Sequence, residues 1–378
     1  MVNFKTSREC RRCIMNSQAD PDIEIDGDGI CNHCRRYDTL LPVRVLKGEA
    51  GRQALDSIVA AIKERGKSHE YDCLIGVSGG VDSTYVAYLT KQYGLRPLAI
   101  HLDNGWNSEL AVKNIERVMR TLEIDLHTEV LDWDEFRELQ LSFLKSSTTD
   151  MEIPTDHAIL AVLWKQAIKH NIKYIISGMN FATESTFVQS WVYGHWDWPY
   201  VKAVQKQFSG RKLRTYPHFT YPYLFYVHVM RAVRSVSILN YVDYEKPKAM
   251  EVLQKELGWQ YYGGKHYESV YTRFMQGYIL PKKFGVDKRY GHLSDLIRAG
   301  QMTREEALSE LASPPYPAEL FTKDYAFVLK KFGMTDEQFQ EIMQAPVKTF
   351  RDYPNTERMA RTLRSAITNA RRMGLYPR

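Results

Sequence analysis

Cys73-Leu-Ile-Gly-Val-Ser-Gly-Gly-Val-Asp-Ser83 reads as a buried strand that runs straight into a turn and a helix. Its first five residues form a short apolar run without polar alternation, the pattern of a strand covered on both faces. Ser78-Gly79-Gly80-Val81-Asp82-Ser83 follows where the strand hands over to the helix. The first amides of a helix have no partner within it, and its dipole favours negative charge there. Two glycines let the backbone approach an anion closely, and Ser78 and Ser83 add hydroxyl groups. Asp82 is placed either to cap the helix or to hold a magnesium ion. The stretch is therefore read as a phosphate-binding turn. Gly-x-x-x-x-Gly-Lys-Ser/Thr is absent from the chain, which disfavours γ-phosphoryl transfer of the P-loop kind.

The surrounding sequence repeats the alternation. A helix is expected to about Tyr93, closed by Gly94, then a strand from Pro97 to Leu102 that ends at Asp103-Asn104-Gly105. Ala111, Ile115, Val118, Met119 and Leu122 line one face of the next helix, and Asp125 to Leu131 reads as a third strand. Asp156 is expected to cap a helix reaching His170, followed by a strand at Tyr174-Ile175-Ile176. Strands alternating with helices predict an α/β fold with a doubly wound parallel sheet. The chain beyond about residue 261 is predicted helical, with capping boxes at Thr303-x-x-Glu306 and Thr335-x-x-Gln338.

Upstream, Cys10-x-x-Cys13 and Cys31-x-x-Cys34 are separated by 17 residues. This is the spacing of a tetrahedral four-thiolate zinc site, and four thiolates leave no open position, so the metal is expected to be structural. Ile23 to Asp26 alternates like a strand, Asp26-Gly27-Asp28-Gly29 supplies a turn, and Leu55, Ile58, Val59 and Ile62 face one side of a helix ending at Gly66. His33 is expected at the surface, and Cys73, in an apolar strand, as inert core.

The 378 residues carry a net charge of +6, with 44% hydrophobic and 25% charged residues, an ordinary composition for a folded chain with a sizeable core. No run of about 18 apolar residues is present, so no membrane span is expected. The opening residues are too polar for a secretion signal, which makes a cytoplasmic location the expectation. Between Trp198 and Val242 there is no Asp or Glu, while seven Lys and Arg accumulate. In residues 181–244, 16 of 64 are Phe, Trp or Tyr, against 12% in the whole chain. Such a segment suits a sugar nucleotide or single-stranded RNA, and equally an aromatic core or a solvated basic face.

Ser78-Gly-Gly-Val-Asp-Ser83 resembles the signature of the PP-loop ATP pyrophosphatases, with a fold like that of adenine nucleotide hydrolases. That resemblance implies cleavage of ATP between its α- and β-phosphates, with the loop (Ser78, Gly79, Gly80, Val81, Asp82, Ser83) holding the pyrophosphate. It places His101 and Asp103 near adenine and ribose, and Gly178 and Asn180 at the far wall of the nucleotide site. Further stretches resemble the N-acetyl sugar amidotransferases of the WbpG/PseA type. These are Cys10-Arg-Arg-Cys13, Asp26-Gly-Asp-Gly-Ile-Cys31-Asn-His-Cys34, His101-Leu-Asp-Asn-Gly-Trp106 and Tyr262-Gly-Gly-Lys-His-Tyr-Glu268. Lys282-Lys-Phe-Gly-Val-Asp-Lys-Arg289 and Gly300-Gln-Met-Thr-Arg-Glu-Glu-Ala307 extend the likeness.

The resemblance implies an enzyme that turns an acetamido sugar into an acetamidino sugar for lipopolysaccharide (O-antigen) or nonulosonic acid biosynthesis. Its cofactors would be ATP, Mg2+ and a structural Zn2+, and its substrate a nucleotide sugar. Ser78, Asp82 and Lys265 are the catalytic candidates, and Lys282, Lys283, Lys288 and Arg289 are candidates to meet phosphate. Zinc knuckle plus PP-loop is also found in tRNA-modifying adenylases of the thiolase kind, but those carry cysteines after the loop. Here Glu152-Ile-Pro-Thr-Asp156 stands where a cysteine motif is expected, and no cysteine follows Cys73. A nucleic-acid partner is therefore disfavoured. Residue 2 is Val, and the other thiols are assigned to metal or core, so no cysteine is left as a glutaminase nucleophile. The resemblance then implies a separate HisH-like glutaminase with a HisF-like companion. The expected organisation is a zinc module at 1–45, a nucleotide domain at 46–260 containing the aromatic segment, and a helical region at 261–378.

Overall fold

The computed structural model describes residues 8–362 and residue 365. The end of the expected helical region, 363–378 apart from residue 365, lies outside the described residues, as do residues 1–7. Five parallel strands, β1 (Cys73–Gly76), β2 (Pro97–Asp103), β3 (Asp125–Val130), β4 (Tyr174–Ser177) and β5 (Arg234–Ser237), form one sheet in the order β3-β2-β1-β4-β5. The chain starts at the middle strand, winds outward to one edge, and returns to build the other side. The reversal falls between β1 and β4, so a crevice opens at their carboxyl ends, where the Ser78 turn lies.

Successive side chains of a strand point to opposite faces. Leu74, Leu98, Ile100 and Ile175 accordingly enter one apolar layer, with Val162, Trp164 and Phe219. Cys73, Ile75, Ala99 and Ile176 enter the other, with Leu55, Val86, Ile115 and Leu253. The helices supplying these layers are α2 (Gly48–Gly66), α3 (Val81–Gln92), α4 (Glu109–Thr121) and α6 (Ile153–Lys169), joined by the later helix Lys246–Leu257, whereas α1 (Asn32–Arg44), α5 (Trp133–Lys145) and α7 (Trp198–Phe208) pack elsewhere. Both expected capping boxes are formed, at Thr303 and Thr335.

Three local expectations differ. Asp156 does not cap α6; the helix begins at Ile153, with Pro154 in its first turn, and Asp156 sits one turn inside. Ile23 to Asp26 makes only one antiparallel bridge, Ile25 with Cys31, rather than a strand. The sheet also gains β5, whose Arg-Ser-Val-Ser sequence carries no apolar run.

A third and larger core holds α5, residues 188–216 and residues 270–353 together, and the four clustered cysteines belong to it. Much of the aromatic segment is spent there and on the sheet: Trp198, Tyr216 and Phe219 stack against His157 with centroids 5.5, 6.2 and 4.0 Å away. Among the described residues, no helix is long and apolar enough to cross a membrane.

Candidate active site

Gly79 makes the loop possible. Its φ of +79° is in the left-handed region, and a Cβ there would stand 2.7 Å from the Ala111 carbonyl oxygen of α4. The loop is drawn tight by its own hydroxyls: Ser78 Oγ and Ser83 Oγ are 3.2 Å apart, and the Gly80 amide donates to Ser78 Oγ at 3.3 Å. Gly80, at the N-cap of α3, has no side chain of its own to cap the first amides. Trp259 Nε1 donates to the Gly79 carbonyl at 2.9 Å, and the Val81 amide donates to the Tyr262 hydroxyl at 3.3 Å. From the other side of the switch point, Gly178 approaches so closely that a Cβ would lie 3.2 Å from the Asp82 carbonyl carbon.

A cavity of about 200 Å3 sits on this turn, lined by Ser78, Gly80–Ser83, Gly178, Glu184, Lys246, Lys265 and Glu268 among others. Lys265 is held 3.2 Å from Glu184 Oε1. Lys246 makes no ion pair among the described residues. Asp82 lies in the first turn of α3 but does not cap it; the Tyr244 hydroxyl donates to its Oδ1. Burial, then the nearby charge of Glu184, pushes the Asp82 carboxyl above its ordinary value, opposed by Lys246, Tyr244 and Lys265. Glu268 is half-buried, but a hydrogen bond and the charge of His266, with Lys246, outweigh its desolvation and hold its carboxyl below the ordinary value. Glu268 Oε2 is buried with no hydrogen-bond partner. An orphaned carboxylate oxygen beside Asp82 and an anion-binding turn suits a divalent cation, so these residues fit magnesium.

A second cavity, of about 470 Å3, continues from Ser78 along the carboxyl ends of β1 and β2. One end is apolar, with Ile100, Leu102, Val162 and Leu163, beside His101. His101 Nδ1 donates to the Val77 carbonyl at 2.9 Å, which leaves Nε2 to accept from Asn107 Nδ2 at 3.1 Å. The other end is acidic, with Asp150, Glu152 and Asp156 beside Lys288. Asp156 opens onto the cleft but is walled by protein. That burial, then the charges of Glu152 and Asp150, pushes its carboxyl up to about 8. Burial likewise raises Glu152, whose Oε2 accepts from Thr272 at 2.7 Å.

A third cavity, of about 750 Å3, adjoins the first at Lys246 and Lys265 and the second at Gln276 and Lys288. Gly263, Gly264, Arg289 and Tyr267 also line it.

Of the residues singled out from sequence, Ser78, Gly80, Val81, Asp82, Ser83, Gly178 and Lys265 meet in one cavity. His101 and Lys288 reach the adjoining ones, and Arg289 reaches the largest while paired with Asp287 at 2.7 Å. Five do not line them, Gly79 among them, since it shapes the turn from beneath against Ala111. Asp103 accepts from the Gly105 amide at 2.9 Å. Asn180, buried, donates to Thr183 and accepts from the Ala182 amide, both at 3.0 Å. Lys283 donates to the carbonyls of Ile342 and Ala345 at the end of a helix, and Lys282 is exposed elsewhere. Glu184, Lys246, Tyr244 and the acidic trio were missed by sequence reasoning. They carry no motif, and the fold alone gathers them.

The four cysteines are buried, and their sulfurs lie within 4.8 Å of one another. Cys10 Sγ and Cys34 Sγ are 3.9 Å apart and Cys13 Sγ and Cys31 Sγ 3.7 Å. A tetrahedron with Zn–S bonds of about 2.3 Å has edges of about 3.8 Å, so the set fits zinc. Amides of Cys13, Cys31 and Cys34 donate to the sulfurs at 3.4–3.5 Å, the pattern of a knuckle. His33 is not a surface residue: it is buried, with Nε2 2.7 Å from Asp20 Oδ2. Cys73 is fully buried, as expected, and burial pushes its thiol up.

Two family matches cover the phosphate-loop region and the C-terminal region of the chain. Residues 268–366 match the family described as LPS biosynthesis protein WbpG-like, C-terminal domain, and residues 72–185 match queuosine biosynthesis protein QueC. The uncharacterized protein MJ1599 of Methanocaldococcus jannaschii is 23% identical over 83% of this chain and 96% of its own. NMN synthetase from Francisella tularensis is similar at 16% identity and a TM-score of 0.38, over 76% of this chain and 98% of that one. The NH3-dependent NAD synthetase from Campylobacter jejuni aligns at 16% identity and a TM-score of 0.28, over 36% of this chain and only 61% of its own length. The chain thus carries a QueC-type PP-loop segment followed by a WbpG-like C-terminal domain.

Proposed function

We propose that the chain is an ATP-dependent amidotransferase acting on an N-acetylated, UDP-linked sugar. It transfers AMP to the acetamido oxygen, releases pyrophosphate, and lets ammonia-derived nitrogen replace the oxygen to give an acetamidino sugar for O-antigen or nonulosonic acid biosynthesis. An amide oxygen is a poor leaving group, and adenylation converts it into AMP. The observation that carries this reading is the continuity, at Lys246 and Lys265, between the small cavity on the Ser78 turn and the large basic cavity beside it. The first suits pyrophosphate, and the second suits an anionic substrate whose reacting oxygen must meet the α-phosphate.

In that arrangement the α3 amides and the hydroxyls of Ser78 and Ser83 hold the departing pyrophosphate, and Lys246 and Lys265 neutralise charge developing on it. Asp82 and Glu268 would hold magnesium, which when bound supplies further neutralisation at the phosphates. The apolar end beside His101 accepts adenine. Nitrogen would come from a separate HisH-like glutaminase through a HisF-like companion, since all five cysteines are buried. The same absence of an accessible thiol among the described residues disfavours a tRNA-thiolating reading.

Mass spectrometry of UDP-diacetamido sugars incubated with ATP, magnesium and ammonium tests the proposal. Wild type should release AMP and lower the sugar's mass by a single unit, whereas Ser78→Ala with Asp82→Ala should do neither. Release of ADP in place of AMP would refute it.

A further inference from the structure

Behind the acidic end of the nucleotide cleft lies another cavity, of about 500 Å3. Its walls come from Gln18–Asp22 of the cysteine module, residues 189–193, and Val347–Arg351 near the end of the chain. Asp150 and Val192 line this cavity and the 470 Å3 nucleotide cleft alike, so that pair forms the wall the two share. Asp150 is fixed in place: its Oδ2 accepts from the amides of Tyr193 at 2.9 Å and Gly194 at 3.1 Å. Glu152 and Asp156 line the same cleft, as do Gln276 and Lys288, which it shares with the large cavity.

With ATP on the loop and a sugar in the large cavity, the front of the site is filled by substrates. A third, small reactant then needs another way in. We propose that ammonia reaches the reaction through this rear cavity, crossing between Asp150 and Val192. The inference rests on the amidotransferase reading above. Carboxyl oxygens of Asp150, Glu152 and Asp156 accept hydrogen bonds from ammonium and disfavour anions, and the proton that ammonium gives up passes to solvent. The freed ammonia donates its lone pair to the imidate carbon and forms the C–N bond. The C–O bond to AMP breaks, its electron pair leaves on AMP, and the extra proton on nitrogen passes to solvent.

The test is steady-state kinetics with ammonium varied at saturating ATP and sugar, for Ser190→Trp at the outer mouth and Val192→Phe at the crossing. Each should raise the KM for ammonium about tenfold or more, and in Ser190→Trp, which stands outside the nucleotide cleft, ATP–pyrophosphate exchange in the presence of sugar should be unchanged. Unchanged ammonium KM in both variants would overturn the passage. Should Val192→Phe lose exchange through misfolding, Ser190→Trp, at an exposed position, decides alone. A wild type that makes no acetamidino product at any ammonium concentration would instead sink the amidotransferase reading itself.

Discussion

Arg298 Nη1 lies 3.8 Å from Cys34 Sγ, although 264 positions separate them in the chain. The arginine side chain has no solvent exposure and pairs with Asp295 at 2.6 Å. Asp295 in turn accepts from Ser185 Oγ at 2.6 Å, next to Glu184, which holds Lys265 over the phosphate loop. Zinc with four thiolates carries a net charge of about −2, so a buried cation beside it offsets charge that would otherwise sit in the core. One chain of contacts therefore links the metal cluster to the nucleotide cavity.

Arg298→Met keeps much of the volume and removes the charge. Breaking a buried pair this way costs about 3–5 kcal/mol, because Asp295 is left uncompensated. Urea denaturation should show that loss, and the KM for ATP should rise as Glu184 and Lys265 lose their register. Stability within about 0.5 kcal/mol of wild type would contradict the role given to the arginine.

Metal analysis should find one zinc per chain. Stripping it with a strong chelator, or replacing Cys31 by Ser, should lower the melting temperature of the whole protein rather than of a small appendage, since the cysteines sit in the largest core. A melting curve unaltered by chelation would be the opposing result.

Gly79→Ala places a methyl against the Ala111 carbonyl in a left-handed backbone. The conformation alone costs about 1–2 kcal/mol, and relieving the contact moves the turn off its helix. ATP affinity should fall at least tenfold. Gly210, with open space around it, is the control, and Gly210→Ala should bind ATP as wild type does.

His157 is buried in an aromatic stack, with Nδ1 2.7 Å from the His195 carbonyl and Nε2 accepting from the Phe219 amide at 3.2 Å. Burial depresses its value from 6.5 to about 4. The unfolded chain therefore binds more protons than the folded one between about pH 6.5 and 4, and this group's stabilising effect fades as pH falls through that window. The stability gap between wild type and His157→Gln, from melting curves, should be widest above pH 6.5 and shrink toward pH 4. A gap independent of pH would show that the imidazole does not titrate there.

Two features were legible from residues alone because both are local. Cys73 to Ser83 encodes strand, turn and helix within a few residues, and the paired Cys-x-x-Cys spacing encodes a knuckle wherever it folds. What escaped depends on closure of the chain. Lys246 opens an ordinary helix after β5, Glu184 follows a tight turn, and Asp150 to Asp156 resemble a helix start. None gains meaning until the sheet brings them to one crevice. β5 was hidden because an edge strand exposed at Arg234 and Ser235 needs no apolar run. His33 misled for the opposite reason, since nothing near it in sequence announces Asp20 as its partner.

The Tyr262 hydroxyl has one more consequence. It satisfies the very amide, that of Val81, which an incoming phosphate oxygen would claim. A phosphate oxygen bound at that amide would take the place of the hydroxyl, and Gly263 and Gly264 follow directly in the chain. Residues 262–268, which carry Lys265 and Glu268 to the loop, are thereby tied to the same backbone group that a phosphate would seek.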